Sequence, residues 1–114
     1  MTLPVFVHYE AAGLKRVARL MDTVTENGSS DIGLLDRELG TLQATIVGDG
    51  TVTGTVSTFY SNDLLGWIPG DVLELLGVDV ATAGFTIPCT CIYIKVILES
   101  LTGVGAEATV SLVS

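Results

Sequence analysis

Gly48-Asp49-Gly50-Thr51-Val52-Thr53-Gly54-Thr55-Val56-Ser57-Thr58-Phe59-Tyr60-Ser61-Asn62-Asp63, with Trp67 just beyond, alternates threonine with small or apolar residues. Thr and Val are stiff at χ1 and fit a pleated surface. The Asp49-Gly50 pair and Ser61-Asn62-Asp63 supply the turn chemistry that punctuates strands. A segment of this kind belongs to a small antiparallel β-sandwich. It carries no catalytic chemistry of its own, which turns the reading toward binding or structure.

The same alternation extends outward. Upstream, Leu42, Ala44 and Ile46 face one way and Thr41, Gln43 and Thr45 the other. Gly48-Asp49-Gly50 then reads as a hairpin turn into the threonine-rich strand. Downstream, Cys91 to Glu99 is the strongest strand, with Ile92, Ile94, Val96 and Leu98 forming one apolar face. Leu101-Thr102-Gly103-Val104-Gly105 reads as a turn, and Ala106 to Val113 as a closing strand with Ala108, Val110 and Leu112 on one face and Thr109 and Ser111 on the other.

Shorter strands are expected at Leu3–Tyr9, Ile32–Asp36, near Trp67, at Val72–Leu76 and at Gly84–Ile87, with a turn at Arg37–Gly40. Asp71 can alternatively cap a helical turn through Leu76. Leu14–Val24 fits helical spacing as well as a strand or extended arm. The sum is roughly eight short strands, the pattern of an all-β, antiparallel β-sandwich or jelly-roll-like domain. The expected organisation is an N-terminal strand or arm over residues 1–23 and one sandwich domain over residues 24–114.

Composition narrows the function. The chain has 114 residues, enough for one core, and is 48% hydrophobic but only 16% charged, against about 25% charged in an ordinary soluble domain. A domain of this size leaves roughly a third of its unfolded-chain surface in water, and this chain has few charges to cover it. No run reaches the roughly 20 apolar residues a spanning helix needs, because Pro88 and Lys95 interrupt Ile87–Leu98. Met1-Thr2-Leu3-Pro4 lacks the basic start of a secretory signal. Burial against other subunits is the remaining explanation, so a homo-oligomer or larger assembly is expected.

Net charge is −8 and unevenly spread. Lys15, Arg16, Arg19 and Arg37 lie in the first third, whereas eight acids and only Lys95 follow from Glu38 onward. That balance argues against nucleic acid as the main partner. The Lys15/Arg16/Arg19 cluster is a candidate docking patch for an acidic protein, and equally a solvated basic patch.

Candidates for chemistry are few. Cys89 and Cys91 would share one face of a strand; a disulfide at that spacing would be strained and a metal would need two further ligands. They read as reduced, buried residues, suited to a reducing cytoplasm. His8, the single histidine, reads as a strand residue rather than a catalytic base. The acid pairs Asp71/Glu74 and Asp36/Glu38 have the composition of glycosidase carboxylates, but surface acids are the default. Asn62 and Asp63 have calcium-ligand chemistry, and a turn held by Asx-type hydrogen bonds explains them more simply. No nucleophile, phosphate-loop or zinc-protease motif occurs. No enzyme activity, cofactor or metal is expected, and Trp67 is the candidate interface anchor.

The span from Val24 to Leu112 resembles a set of small β-sandwich proteins found among tailed-phage virion components. The likeness lies in Thr25-Glu26-Asn27-Gly28-Ser29, Leu42-Gln43-Ala44-Thr45 and Gly54-Thr55-Val56 leading to Ser61-Asn62-Asp63 and Trp67. Tyr93-Ile94-Lys95-Val96 and Leu101-Thr102-Gly103-Val104-Gly105-Ala106 complete it. Leu64-Leu65 stands where such proteins usually have Gly, and Lys95 where they have Arg, which removes a planar fork.

The resemblance implies a virion protein assembled in the host cytoplasm, without enzymatic activity. One reading is a capsid decoration (cement) protein, trimeric, bridging major capsid subunits. Its Thr2–Arg19 arm would present Lys15, Arg16 and Arg19 to acidic capsid residues. A tail or neck component is the second reading. A carbohydrate-binding module using Trp67, Tyr60 and Tyr93 is the third, and a small hydrolase the last.

Overall fold

A computed structural model describes residues 10–12, 15–35, 40–87 and 92–113. Those residues form seven strands and no helix: β1 (Glu10–Ala12), β2 (Lys15–Val24), β3 (Gly28–Ser29), β4 (Gly33–Leu34), β5 (Thr41–Ser61), β6 (Ile68–Thr86) and β7 (Tyr93–Val113). All seven belong to one antiparallel sheet in the order β1-β2-β7-β5-β6, with β3 and β4 also pairing to β7. The all-β antiparallel class is therefore as expected. The division into two sheets is not how this chain encloses its core.

Three long strands replace most of the expected short ones. β5 and β7 each run 21 residues and β6 runs 19. The strands expected near Trp67, at Val72–Leu76 and at Gly84–Ile87 are parts of β6, and the alternative helical turn at Asp71 is not formed. Gly48-Asp49-Gly50 does not turn a hairpin, since the two halves of β5 pair with β6 and β7 rather than with each other. Likewise Leu101–Gly105 lies inside β7. Glycine and Asp-Gly pairs mark bulges and corners as well as reversals, and here they mark a corner. The expected Leu3–Tyr9 strand, most of the Arg37–Gly40 turn, His8, Cys89 and Cys91 lie outside the described residues.

The corner is a set of aligned irregularities. β5 inserts Gly48, Asp49 and Gly50 between the pairs Val47–Val80 and Thr51–Val78, where β6 inserts only Asp79. The β5–β7 register shifts at the same level, between Val47 and Thr53. Gly50 (φ 79°), Gly105 (φ 64°) and Asp79 (φ 66°) take left-handed backbone there, and Gly103 is also at positive φ (138°). The Gly50 N–H donates to Asp79 Oδ1 at 2.8 Å, tying the two bulges together. Gly77 must be glycine for a separate reason: a Cβ there would run into the Val80 carbonyl oxygen.

Bending brings one face of the sheet against itself. Twenty-one extended residues would reach about 70 Å, yet the longest dimension of the molecule is 39 Å. Ile94 and Leu112, near opposite ends of β7, converge on Gly33. A methyl group there would lie 3.1 Å from Ile94 Cγ2 and 3.0 Å from Leu112 Cδ2. Across the corner, Ile46 Cδ1 fills the space beside Gly54. The enclosed core takes Leu42, Ala44, Ile46, Val52 and Val56 from β5, with Ile94, Val96, Leu98, Ala108, Val110 and Leu112 from β7. These are the even-numbered inward faces expected from alternation, apart from Ile92, which is outside β7 and half exposed.

Residues 15–24, open between helix, strand and arm in the sequence, form a strand of this sheet. β2 pairs Val17 with Val113 and Val24 with Ala108, with register shifts between Arg19 and Met21 and between Met21 and Val24. Its Ala18, Leu20 and Met21 are core residues.

Gly77→Ala should cost about 1–3 kcal/mol, the range for overpacking, because backbone must shift to admit the methyl. Gly28→Ala, with open space around it, should stay within about 0.5 kcal/mol. Leu98→Ala, emptying a fully buried site, should cost about 2–5 kcal/mol. Urea unfolding of the three variants checks the order.

Candidate functional site

Two surfaces of the bent sheet carry features that packing does not explain: the end where β5 turns into β6, and the outer flank of β6.

The β5–β6 connection is a hairpin loop over residues 62–67. Ser61 is fully buried, and its Oγ organises the loop. It donates to the Gly66 carbonyl at 2.6 Å and accepts from the Leu64 N–H at 3.0 Å. Asp63 Oδ1 accepts from the backbone N–H groups of Leu65 (2.8 Å) and Gly66 (3.0 Å). Asn62 Oδ1 accepts from the Ile92 N–H at 3.1 Å and so ties the loop to the start of β7. Leu64 sits at φ 65°, a conformation glycine adopts more readily. The turn is thus held by Asx-type bonds, and Asp63 is engaged by its own backbone. Among the described residues no three His, Cys, Asp or Glu side chains are grouped to hold a metal ion.

Trp67 follows directly and is half buried. Lys95 Nζ lies 4.4 Å from the centroid of its ring, a cation–π contact. Phe59 joins the cluster by register, pairing with Pro69 on one side and Lys95 on the other. Leu65 (87% exposed), Ile68 and Ile92 stand exposed at this same end. Trp67, the anchor expected from sequence, therefore sits in an apolar, partly aromatic patch. Tyr60 does not join it, being 4% exposed within the core, and Tyr93 is half buried opposite Ser61. The three aromatics of the carbohydrate reading do not form one platform.

The basic cluster lies elsewhere. Lys15, Arg16 and Arg19 are on β2, with Lys15 and Arg16 paired to Ala12 and Ala11 of β1. Arg19 is exposed and lies 3.5 Å from Asp22 Oδ2. The side chains of Lys15 and Arg16 are outside the described part. Asp71 lies at the register shift between Pro69 and Val72, Glu74 pairs with Thr55, and both are exposed. Asp36 and Glu38 lie outside the described residues.

The outer flank of β6 was not legible as a surface from sequence. Among the described residues β6 has a neighbour, β5, on one side only. Its outward positions Val72, Leu76, Val78 and Val80 are 55%, 76%, 73% and 50% exposed, and Val47 lies beside Val80 at 51%. Alternation in Val72-Leu73-Glu74-Leu75-Leu76 sets Glu74 on the same face as Val72 and Leu76, a single charge marking an otherwise apolar face. No helix among the described residues is long and apolar enough to cross a membrane.

The Asp63 carboxyl titrates below its ordinary value of 3.8, chiefly because it accepts the Gly66 and Leu65 N–H groups. A carboxyl that ionises more readily folded than unfolded stabilises the fold above the unfolded-state value, and that contribution is lost as pH falls through the folded-state value. The loop should stay capped at about pH 5 and open only below 3.8. An NMR titration should show the Gly66 amide moving with a midpoint under 3.8, and Asp63→Asn should abolish that transition.

No protein-family model matches the chain, and no curated protein matches it. Solved structures do. The SPBc2 prophage-derived protein YomS superposes with a TM-score of 0.59 at 14% identity, covering 87% of this chain and 90% of that one. At that identity the likeness is one of fold.

Proposed function

We propose that this chain is a structural protein of a tailed-phage virion, a capsid decoration protein that stabilises the head shell by bridging major capsid subunits. The observation that carries the reading is the exposed apolar flank of β6 with Val47, on a chain short of charge. Exposed apolar side chains gathered along one strand, here with Glu74 among them, mark an interaction site more often than an idle surface. The fold shared with a prophage-derived protein and the motif order from Val24 to Leu112 favour a phage setting. Small copies bound at many equivalent places would stabilise a shell by mass action. Association of the copies with one another, as trimers, is part of the reading. So is docking of the Lys15/Arg16/Arg19 strand and of Trp67 on virion partners.

A tail or neck component built on the same sheet is the alternative. Copy number separates the two. Quantitative mass spectrometry of purified particles of the encoding phage should find the protein at roughly the abundance of the major capsid subunit, consistent with many-site binding. A few rings' worth per particle would transfer it to the tail or neck. Particles that lack it altogether would end the virion reading.

A further inference from the structure

We propose that copies of this chain associate head to tail, the edge of β6 that no described strand pairs on one copy docking on the β1–β2 edge of the next. The inference rests on the oligomeric part of the reading above and assigns its contact surface.

Natural sheets guard an open edge with charged side chains, lysine above all, with proline, with bulges or with a very short strand. β6 is 19 residues long, contains no Lys or Arg, and has a single proline, Pro69, at its start. Its outward Val72, Leu76 and Val78 add an apolar face to the open edge. Its guards are three acids and the bulge at Asp79, so the neighbour it admits is one that brings positive charge.

Charge selects what covers it. β6 carries Asp71, Glu74 and Asp79 with no compensating base, and no Lys or Arg occurs anywhere from residue 38 to residue 94. Three of the five cationic residues, Lys15, Arg16 and Arg19, lie on β2 near the opposite end of the strand order. A two-fold β6–β6 contact would set three acids against three acids. A head-to-tail contact sets them against a strand pair with three cations and two acids, Glu10 and Asp22, the second of which lies 3.5 Å from Arg19. Among the described residues, β1 pairs with Lys15, Arg16 and Val17 alone on the outer edge of β2. Charges at such a rim choose the partner and orientation, while the apolar residues supply affinity. Head-to-tail contacts close into rings when the rotation permits, and a ring covers both edges of every copy.

Light scattering after size exclusion, run on the full chain across concentration and salt, tests the arrangement. The wild type should be a discrete closed oligomer that weakens as NaCl rises, because screening removes the attraction. Leu76→Lys should yield monomer. Glu74→Lys and Arg19→Glu should each raise the dissociation constant about tenfold, and the double reversal should recover most of that loss. Circular dichroism verifies that each variant is folded. A wild type that is monomeric throughout would sink the oligomeric reading and this inference with it. An oligomer indifferent to Leu76→Lys or Arg19→Glu would sink the inference alone. An oligomer tightened by salt or by Glu74→Lys would show acid facing acid, and would overturn the head-to-tail arrangement.

Discussion

The core of this protein exists because three adjacent strands turn the same corner at the same level. A flat sheet of these sequences would leave one whole apolar face in water. At the corner, β5 inserts three residues against one in β6, and left-handed backbone at Gly50, Asp79 and Gly105 absorbs the change of direction. Leu112 can then meet Ile94, and Ile46 can lie over Gly54. At about 25 cal/mol per Å2 of apolar surface removed from water, this self-burial is the main force holding the fold. Most of the remaining stabilisation follows from it, including the docking of β2 by Leu20 and Met21.

One open sheet folded on itself has a cost that a closed barrel would avoid, since among the described residues it keeps two edges. The β2 side is partly covered by β1 and is cationic. The β6 side is long, acidic and greasy. The same continuity that builds the core from a single sheet therefore creates the surface that association would exploit. The Ser61–Trp67 loop is the rigid counterpart of that flank, its backbone donors satisfied internally by Ser61 and Asp63. It presents Leu65 and Trp67 from a pre-ordered frame, which lowers the entropy lost when a partner binds.

Much of the fold was legible from period-two patterning. Leu42/Ala44/Ile46, Ile94/Val96/Leu98 and Ala108/Val110/Leu112 are the inward residues that alternation identifies, all within 1% exposure. Alternation does not say whether a glycine-rich interruption reverses the chain or bends it. Gly48-Asp49-Gly50 and Gly103-Val104-Gly105 satisfy the local chemistry of both outcomes, and only the partner strand decides between them. The same limit hid the β6 flank: Val72, Leu76, Val78 and Val80 are as apolar as core residues, and their exposure follows from β6 lying last in the strand order. The Ser61–Asp63 turn was legible because its hydrogen bonds are local. The contact of Lys95 with Trp67 was not, because it depends on pairing between distant strands.

The register of β5 also constrains how the chain acquires its shape. Its pairing with β6 begins at Tyr60–Ile68, across a short loop, and extends from there one rung at a time. Its pairing with β7 joins Thr41 to Val113 and Ser61 to Tyr93, so β7 must be synthesised and delivered before the second edge of β5 is filled. Contacts so remote along the chain form slowly. Until they do, the nascent β5–β6 ribbon shows its greasy side to every other chain in the cell, and yield on expression becomes a race between β7 arriving and ribbons sticking to one another.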